Sequence, residues 1–170
     1  MSPLLHAGPA VGFDQPFEML LACHERVQRS LDLLLRLQAH VARRGADTQA
    51  RDAARDVLRY FDLAGPKHHE DEERHVLPRL RAAGREALAQ RLADDHAEMT
   101  RQWAALRPAL AGLAAGDATL LDADACQAYA ALYAAHMRVE EAEAFPLAAQ
   151  GIADDALAAM GSEMSARRRG

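Results

Sequence analysis

The stretch HHEDEERHVLP at His68–Pro78 has a counterpart, HMRVEEAEAFP, at His136–Pro146. Both read H-x-x-x-E-E-x-x-x-(apolar)-P, with every spacing kept. On an α-helix, residues four apart lie within about 40° of each other around the axis and about 6 Å apart along it. Each stretch therefore predicts a helix that points one histidine and one glutamate at the same inward spot. The two predicted pairs are His68 with Glu72 and His136 with Glu140.

The rest of the chain also favours helices. Half of its 170 residues are apolar and only 5% are aromatic, a composition that predicts one all-α domain. Apolar residues recur at helical spacing in four segments: about 14–44, about 48–80, about 85–115, and from 117 or 122 to 146. Short loops between four such segments predict an antiparallel up-down-up-down four-helix bundle.

Breakers and capping residues suggest the boundaries. We expect a loose N-terminal lead-in over residues 1–13, the bundle over 14–148, and a short C-terminal extra helix with a solvated basic tail over 149–170. Asp14 is a candidate N-cap for the first helix, and the pair Gly65-Pro66 is expected to bend or break the second.

Composition and charge also limit the classes of partner and the cellular location that we expect for this protein. The net charge is -5 and charges of both signs are interleaved, which disfavours nucleic acid or an anionic membrane as a partner. The sequence contains no run of 18 apolar residues and no basic-then-apolar secretion signal. Its two cysteines lie far apart, so neither a disulfide framework nor a zinc knuckle is indicated. We expect a cytoplasmic protein.

Two further histidines lie on inward faces of the predicted helices. His24 shares a stripe with Leu20 and Val27, and His96 shares one with Met99 and Trp103. Each of the four helices then carries a histidine near its middle, and two carry a glutamate one turn later. Burying these groups together is unfavourable unless cations compensate the charge, so the pattern predicts a pair of divalent cations.

The residue types narrow the choice of metal. Imidazole suits iron and zinc, carboxylate suits harder cations, and a site without cysteine is unlike a structural zinc site. Bridging by Glu72 and Glu140 would hold the two ions roughly 3.5–4 Å apart. We expect two iron ions, with manganese or zinc as alternatives.

His69 and several neighbouring residues allow more than one interpretation. His69 is either a fifth imidazole ligand, serving one ion while His68 serves the other, or a residue beside the centre or at the surface. Glu73 and Glu141 are expected to turn towards solvent. Tyr129 and, less strongly, Tyr133 are candidates for the wall of a ligand pocket or for ordinary core packing. Cys23 is interpreted as a buried, inert thiol that points away from the centre.

The ordered residues His24, His68 with Glu72, His96, and His136 with Glu140 resemble the hemerythrin-like family, or HHE cation-binding domain. The resemblance covers about residues 14–148, and it implies a four-helix bundle, a non-haem di-iron centre and chemistry with dioxygen or related small ligands. One position differs: oxygen-carrying hemerythrins have another histidine one turn after the one on the third helix, where this chain has Thr100. The difference argues against reversible oxygen carriage unless His69 takes that role.

Four functions remain open from the sequence. The first is a module that binds or senses dioxygen or another small diatomic or peroxide ligand, with Leu20, Val27, Met99 and Trp103 as candidate pocket walls. The second is an enzyme that consumes peroxide or nitric oxide. The third is iron storage or delivery, and the fourth is a metal-free scaffold for protein partners.

Overall fold

The described residues form an all-helical fold. A computed structural model describes residues 12–170, and among these residues all regular structure is helical. Residues 1–11 of the predicted lead-in lie outside the described residues. In chain order the elements are α1 (Pro16–Arg44), α2 (Thr48–Arg59), a first π-helical segment (Tyr60–Ala64), α3 (Gly65–His75), α4 (Leu77–Ala82), α5 (Glu86–Ala115), α6 (Ala123–Val139), a second π-helical segment (Glu140–Ala144), α7 (Phe145–Ala149) and α8 (Asp154–Arg169).

Four helical rods make up a closed bundle. They are α1, the run from α2 to α4, α5, and the run from α6 to α7. Contacts join α1 to α2, α2 to α5, α5 to α6, and α6 back to α1. Short connections at 45–47, 83–85 and 116–122 reverse the chain between rods. The predicted all-α four-helix bundle with an extra C-terminal helix is confirmed.

Side-chain caps fix the start of two of the helices. The Asp47 carboxylate accepts a hydrogen bond from Ala50 N at 2.8 Å, and Asp122 accepts one from Ala125 N at 2.8 Å. Each bond satisfies an amide that the first helical turn leaves free. The predicted cap at Asp14 is wrong: α1 begins after Gln15, which makes no capping bond. Of the helices in the described part of the chain, none is both long and apolar enough to cross a membrane.

Each π-helical segment lies directly before a proline-containing turn. Gly65 N donates to Tyr60 O, and Phe145 N donates to Glu140 O, so both bonds span five residues. Pro66 and Pro146 follow at once, without an amide hydrogen and with a ring that would clash with the carbonyl four residues back. The wider turn keeps the rod helical at a place where Gly65-Pro66 was expected to bend or break it.

A buried polar layer divides the apolar core into two clusters. In α1, Leu20 belongs to one cluster and Val27 to the other, and His24 lies between them. In α5, Leu92 and Met99 are separated in the same way by His96. The buried polar residues are His24, His68, Asp71, Glu72, His96, His136 and Glu140. The bundle therefore positions its charged side chains between two hydrophobic ends, away from water.

The C-terminal arginines do not form a solvated tail. Helix α8 continues to Arg169, and the side chains of Arg167 and Arg168 are only 11% and 22% exposed. Both pair with the fully buried carboxylate of Asp71 on α3, with Arg168 Nη2 2.6 Å from Asp71 Oδ2. The prediction of a free basic tail is wrong because the weakly amphipathic sequence of α8 gave no sign of this buried acceptor.

Candidate metal centre

Six side chains at the middle of the bundle form two overlapping groups. The first group is His24, His68, Glu72 and Glu140, and the second is Glu72, His96, His136 and Glu140. Within each group, one ligand atom per residue lies within 4.8 Å of the others, and all six residues are buried. The four imidazoles come from four different rods, while both glutamates belong to both groups.

Each glutamate turns one oxygen to each group. Glu72 Oε1 lies 2.7 Å from His68 Nε2, and Glu72 Oε2 lies 3.1 Å from His96 Nε2. Glu140 behaves in the same way: Oε2 is 3.1 Å from His24 Nε2, and Oε1 is 3.1 Å from His136 Nε2. This is the geometry of two carboxylates that could bridge a pair of cations.

Three of the four imidazoles also contact a carboxylate outside the two groups. The contact is made by Nδ1, the ring nitrogen that faces away from the groups. Nδ1 lies 2.8 Å from Glu141 Oε1 in His24 and 3.0 Å from Glu73 Oε1 in His96. The expectation that Glu73 and Glu141 turn to solvent is wrong in this respect, because their half-exposed side chains reach back to the neighbouring rod. Sequence reasoning missed the third carboxylate, that of Asp95, whose Oδ2 lies 3.0 Å from His136 Nδ1.

The electrostatics of the groups favour protons or cations between the side chains. Burial lowers the pKa of His24 and of His136, but contacts with Glu140 raise both to about 9. Burial also lowers the pKa of His68, and the charge of Glu72 raises it to about 10. The pKa of Glu72 is held well below its ordinary value, since the surrounding imidazoles outweigh burial. Positive charge is thus strongly preferred at this position.

His69 lies beside the second group but belongs to neither. Its ring stacks on that of His96, with centroids 4.2 Å apart, and lies 5.7 Å from the ring of Tyr133. Burial lowers the pKa of His69 well below its ordinary value, and the positive charge of His96 lowers it further. His69 is therefore neutral, as a metal ligand must be, and its role as a fifth imidazole stays a prediction.

An aromatic cavity of about 330 Å³ opens beside the second group. Its walls include His69, His96, Met99, Trp103, Tyr129 and Tyr133. Of the four predicted pocket walls, Met99 and Trp103 line this cavity, whereas Leu20 and Val27 lie in the two core clusters. The predicted pocket thus lies on one side of the polar layer, where the aromatic residues of α5 and α6 meet.

Cys23 does not point away from the centre. It lines a second cavity, of about 230 Å³, together with His68 and the cationic side chains of Arg26, Lys67 and Arg168. Burial raises the pKa of the Cys23 thiol, but the neighbouring His68, Arg26 and Arg168 together lower it by more, so the net shift is downward. The interpretation of Cys23 as a thiol apart from the centre is therefore wrong.

The side chains present fit a pair of transition-metal ions. Among the described residues, His24 Nε2 and both oxygens of Glu72 and Glu140 are buried and make no well-aligned hydrogen bond, although these carboxylate oxygens lie 2.7–3.1 Å from imidazole nitrogens. Buried polar atoms without a partner are costly and call for an explanation such as an ion. His96 Nε2 and His136 Nε2 face each other at 3.1 Å, close to the separation of about 3 Å expected for adjacent nitrogens bound to one ion at about 2.1 Å. Nitrogen and carboxylate donors together suit iron, manganese or zinc.

Comparison with known proteins supports the same type of domain. A family model described as Hemerythrin HHE cation binding domain matches residues 15–148. An uncharacterized protein of Haemophilus influenzae is 30% identical over 159 residues, which cover 92% of this chain and 92% of that protein. The matched range contains all six side chains of the two groups.

Proposed function

Because this chain belongs to the hemerythrin HHE cation binding domain family, we propose that it is a non-haem di-iron protein that binds or senses dioxygen or a related small ligand. The observation that carries the proposal is the pair of groups that share both glutamates, with each carboxylate divided between them. Two adjacent iron(II) ions would supply the two electrons that reduce dioxygen to the level of peroxide.

Different side chains would bind each of the two ions. His24 and His68 would bind one ion, His96 and His136 the other, and both glutamates would bridge. Outer carboxylates fix the ring orientation and tautomer of the imidazoles they touch, which strengthens them as ligands. His69 is kept as a candidate fifth imidazole, on the side of the second group.

The aromatic cavity supports a small ligand. It lies beside His96, and its lining combines aromatic rings with the polar side chains of Glu70, Glu73 and Thr100. Burial raises the pKa of Tyr133 well above its ordinary value, so the hydroxyl of this wall residue stays protonated and uncharged. A cavity of only about 330 Å³ suits a diatomic or peroxide ligand better than a large organic substrate.

One experiment tests the metal and the ligand together. The purified protein is loaded with iron(II) without oxygen, its iron content is measured, and its visible spectrum is recorded before and after exposure to air. We expect two irons per chain and a visible absorption band that appears in air and fades on deoxygenation. A metal-replete protein that stays colourless would refute dioxygen binding.

Matched variants separate the centre from the other histidines. His24→Ala and His136→Ala are expected to lose iron, whereas His40→Ala should keep two irons, because His40 pairs with Asp47 at the far end of α1. Unchanged iron in the first two variants would refute the assignment. An unaltered iron content and spectrum in His69→Ala would remove His69 from the ligands.

A second candidate function is turnover of peroxide or nitric oxide. Each group offers four ligand atoms, and an iron site with open coordination positions can react with a substrate as well as bind it. Steady peroxide consumption that is lost in Glu72→Gln and Glu140→Gln would favour the enzyme over the sensor. Iron that leaves readily to a weak chelator would instead favour storage or delivery.

A further inference from the structure

The two halves of the bundle repeat one arrangement of side chains. In the first half, α1 carries a single histidine and α3 carries the H-x-x-x-E-E motif. In the second half, α5 carries a single histidine, and the same motif runs from α6 into the second π-helical segment. His24 thus corresponds to His96, and His68 corresponds to His136. The residue immediately before the single histidine is Cys23 in the first half and Asp95 in the second.

The contacts follow the repeat in the same order. The second glutamate of each motif approaches the single histidine of the other half: Glu141 lies 2.8 Å from His24 and Glu73 lies 3.0 Å from His96. The residue before the single histidine approaches the motif histidine of its own half, as Asp95 does with His136 at 3.0 Å. By this order, the partner of His68 should be Cys23.

The remaining imidazole, His68, is the one whose Nδ1 has no carboxylate partner among the described residues. His68 is 3% exposed, and among the described residues its Nδ1 has no hydrogen-bond partner. Its Nε2 faces Glu72, so Nδ1 faces the opposite way. His68 and Cys23 line the same cavity, so the thiol lies on the side of the ring that faces away from Glu72.

We propose that Cys23 is the positioning residue for His68, with its sulfur in the place that a carboxylate takes for the other three imidazoles. The proposal rests on the di-iron function proposed above. Sulfur is a weak hydrogen-bond acceptor, so the ring of His68 is oriented less firmly than that of its counterpart His136. The two ions are therefore unequal, and the one held by His24 and His68 binds more weakly.

The surroundings of Cys23 provide a test by gain of affinity. Arg26, Lys67 and Arg168 line the cavity, and their positive charges would compensate a carboxylate at position 23. Cys23→Asp would then give His68 the partner that Asp95 gives His136. Cys23→Val removes the acceptor at nearly the same volume. Cys126→Val is the matched control, since Cys126 is also a free buried cysteine but packs in the apolar core cluster.

The experiment is a calorimetric titration, without oxygen, of the metal-free protein with iron(II). Loss or gain of such a partner changes metal affinity about 10–100-fold. We expect Cys23→Asp to increase the affinity for one of the two ions at least about 10-fold and Cys23→Val to decrease the affinity for the same ion. The affinities of Cys126→Val should match those of the wild type. Equal affinities in all four proteins would overturn the proposal.

A measurement without metal separates this proposal from the function it rests on. The ¹⁵N resonance of His68 Nδ1 in the metal-free protein reports its hydrogen bond directly. We expect it to shift in Cys23→Val and to approach that of His136 in Cys23→Asp. Wild-type protein that binds no iron would refute the di-iron function, whereas unchanged His68 resonances would refute the role of Cys23. If Cys23→Val does not fold, Cys23→Asp carries both measurements.

Discussion

Removing the arginines that hold Asp71 should destabilise the protein far more than removing a surface ion pair. The Asp71 carboxylate is fully buried between Arg167 and Arg168 of α8. In Arg167→Ala/Arg168→Ala, that charge would be left in the interior with neither partner. Stranding one member of a buried ion pair costs about 3–5 kcal/mol, a large part of a total stability of about 5–15 kcal/mol.

The opposite change should be milder. In Asp71→Asn the two arginines, which are 11% and 22% exposed, can turn their charges towards water near the chain end. We therefore expect a loss of about 1.5–3 kcal/mol, the range for a hydrogen bond to a charged group. Arg169→Ala serves as the control, because Arg169 is exposed and, within the described part of the chain, hydrogen-bonds only to Ser165 on its own helix. Its effect should stay within about 0.5 kcal/mol.

The assay is denaturant or thermal unfolding of the metal-free protein, so that metal affinity does not contribute to the result. For a chain of this size, 3–5 kcal/mol corresponds to a fall in Tm of about 6–20 °C. If the double arginine variant unfolds at the same denaturant concentration as Arg169→Ala, the buried pairing does not stabilise the fold and the reasoning fails.

Two further predictions concern protonation and the contact of α8. In the folded protein the pKa is about 9 for His24 and His136 and about 10 for His68, in each case above the ordinary value of 6.5. These three histidines therefore stabilise the metal-free protein when they are protonated. Their contribution to the free energy of unfolding is complete below pH 6.5 and is lost as the pH rises through 9–10. Histidine must lose its proton to bind a metal, so metal binding at pH 7.5 should release about three protons, and metal affinity should increase with pH. Calorimetry in two buffers of different ionisation enthalpy measures the number of protons released. A release of zero protons would contradict the prediction. Gly161→Ala should displace α8 and lower Tm, because an added Cβ would lie 1.7 Å from Phe13 O; an unchanged Tm would count against close packing there.

Much of the fold could be predicted because its signals are local. The apolar stripe of α1 depends on neighbouring residues, and the structure agrees with it. The π-helical segments could not be predicted, because their hydrogen bonds span five residues and nothing in a 3.6-residue pattern indicates that. The burial of Arg167 depends on Asp71, a contact that joins distant parts of the chain.

At the site, too, features within one helix could be predicted from the sequence, whereas contacts between different rods could not. The spacing of the two motifs predicted which histidines and glutamates converge, since that depends on helix geometry alone. The outward angle of Glu73 suggested solvent, but a long side chain can reach an imidazole on the next rod. Asp95 and Cys23 each stand directly before a candidate ligand, and that adjacency was the available signal for both.

The π-helical segments also bear on how this sequence should be compared with its relatives. A π turn holds one more residue than the α turn it replaces, so a relative could lack one residue within Tyr60–Ala64 or Glu140–Ala144 and still keep a continuous rod. Single-residue gaps in an alignment are therefore expected at these two places. Because the second segment begins at Glu140, a gap placed one position too early would pair this candidate metal ligand with the wrong residue.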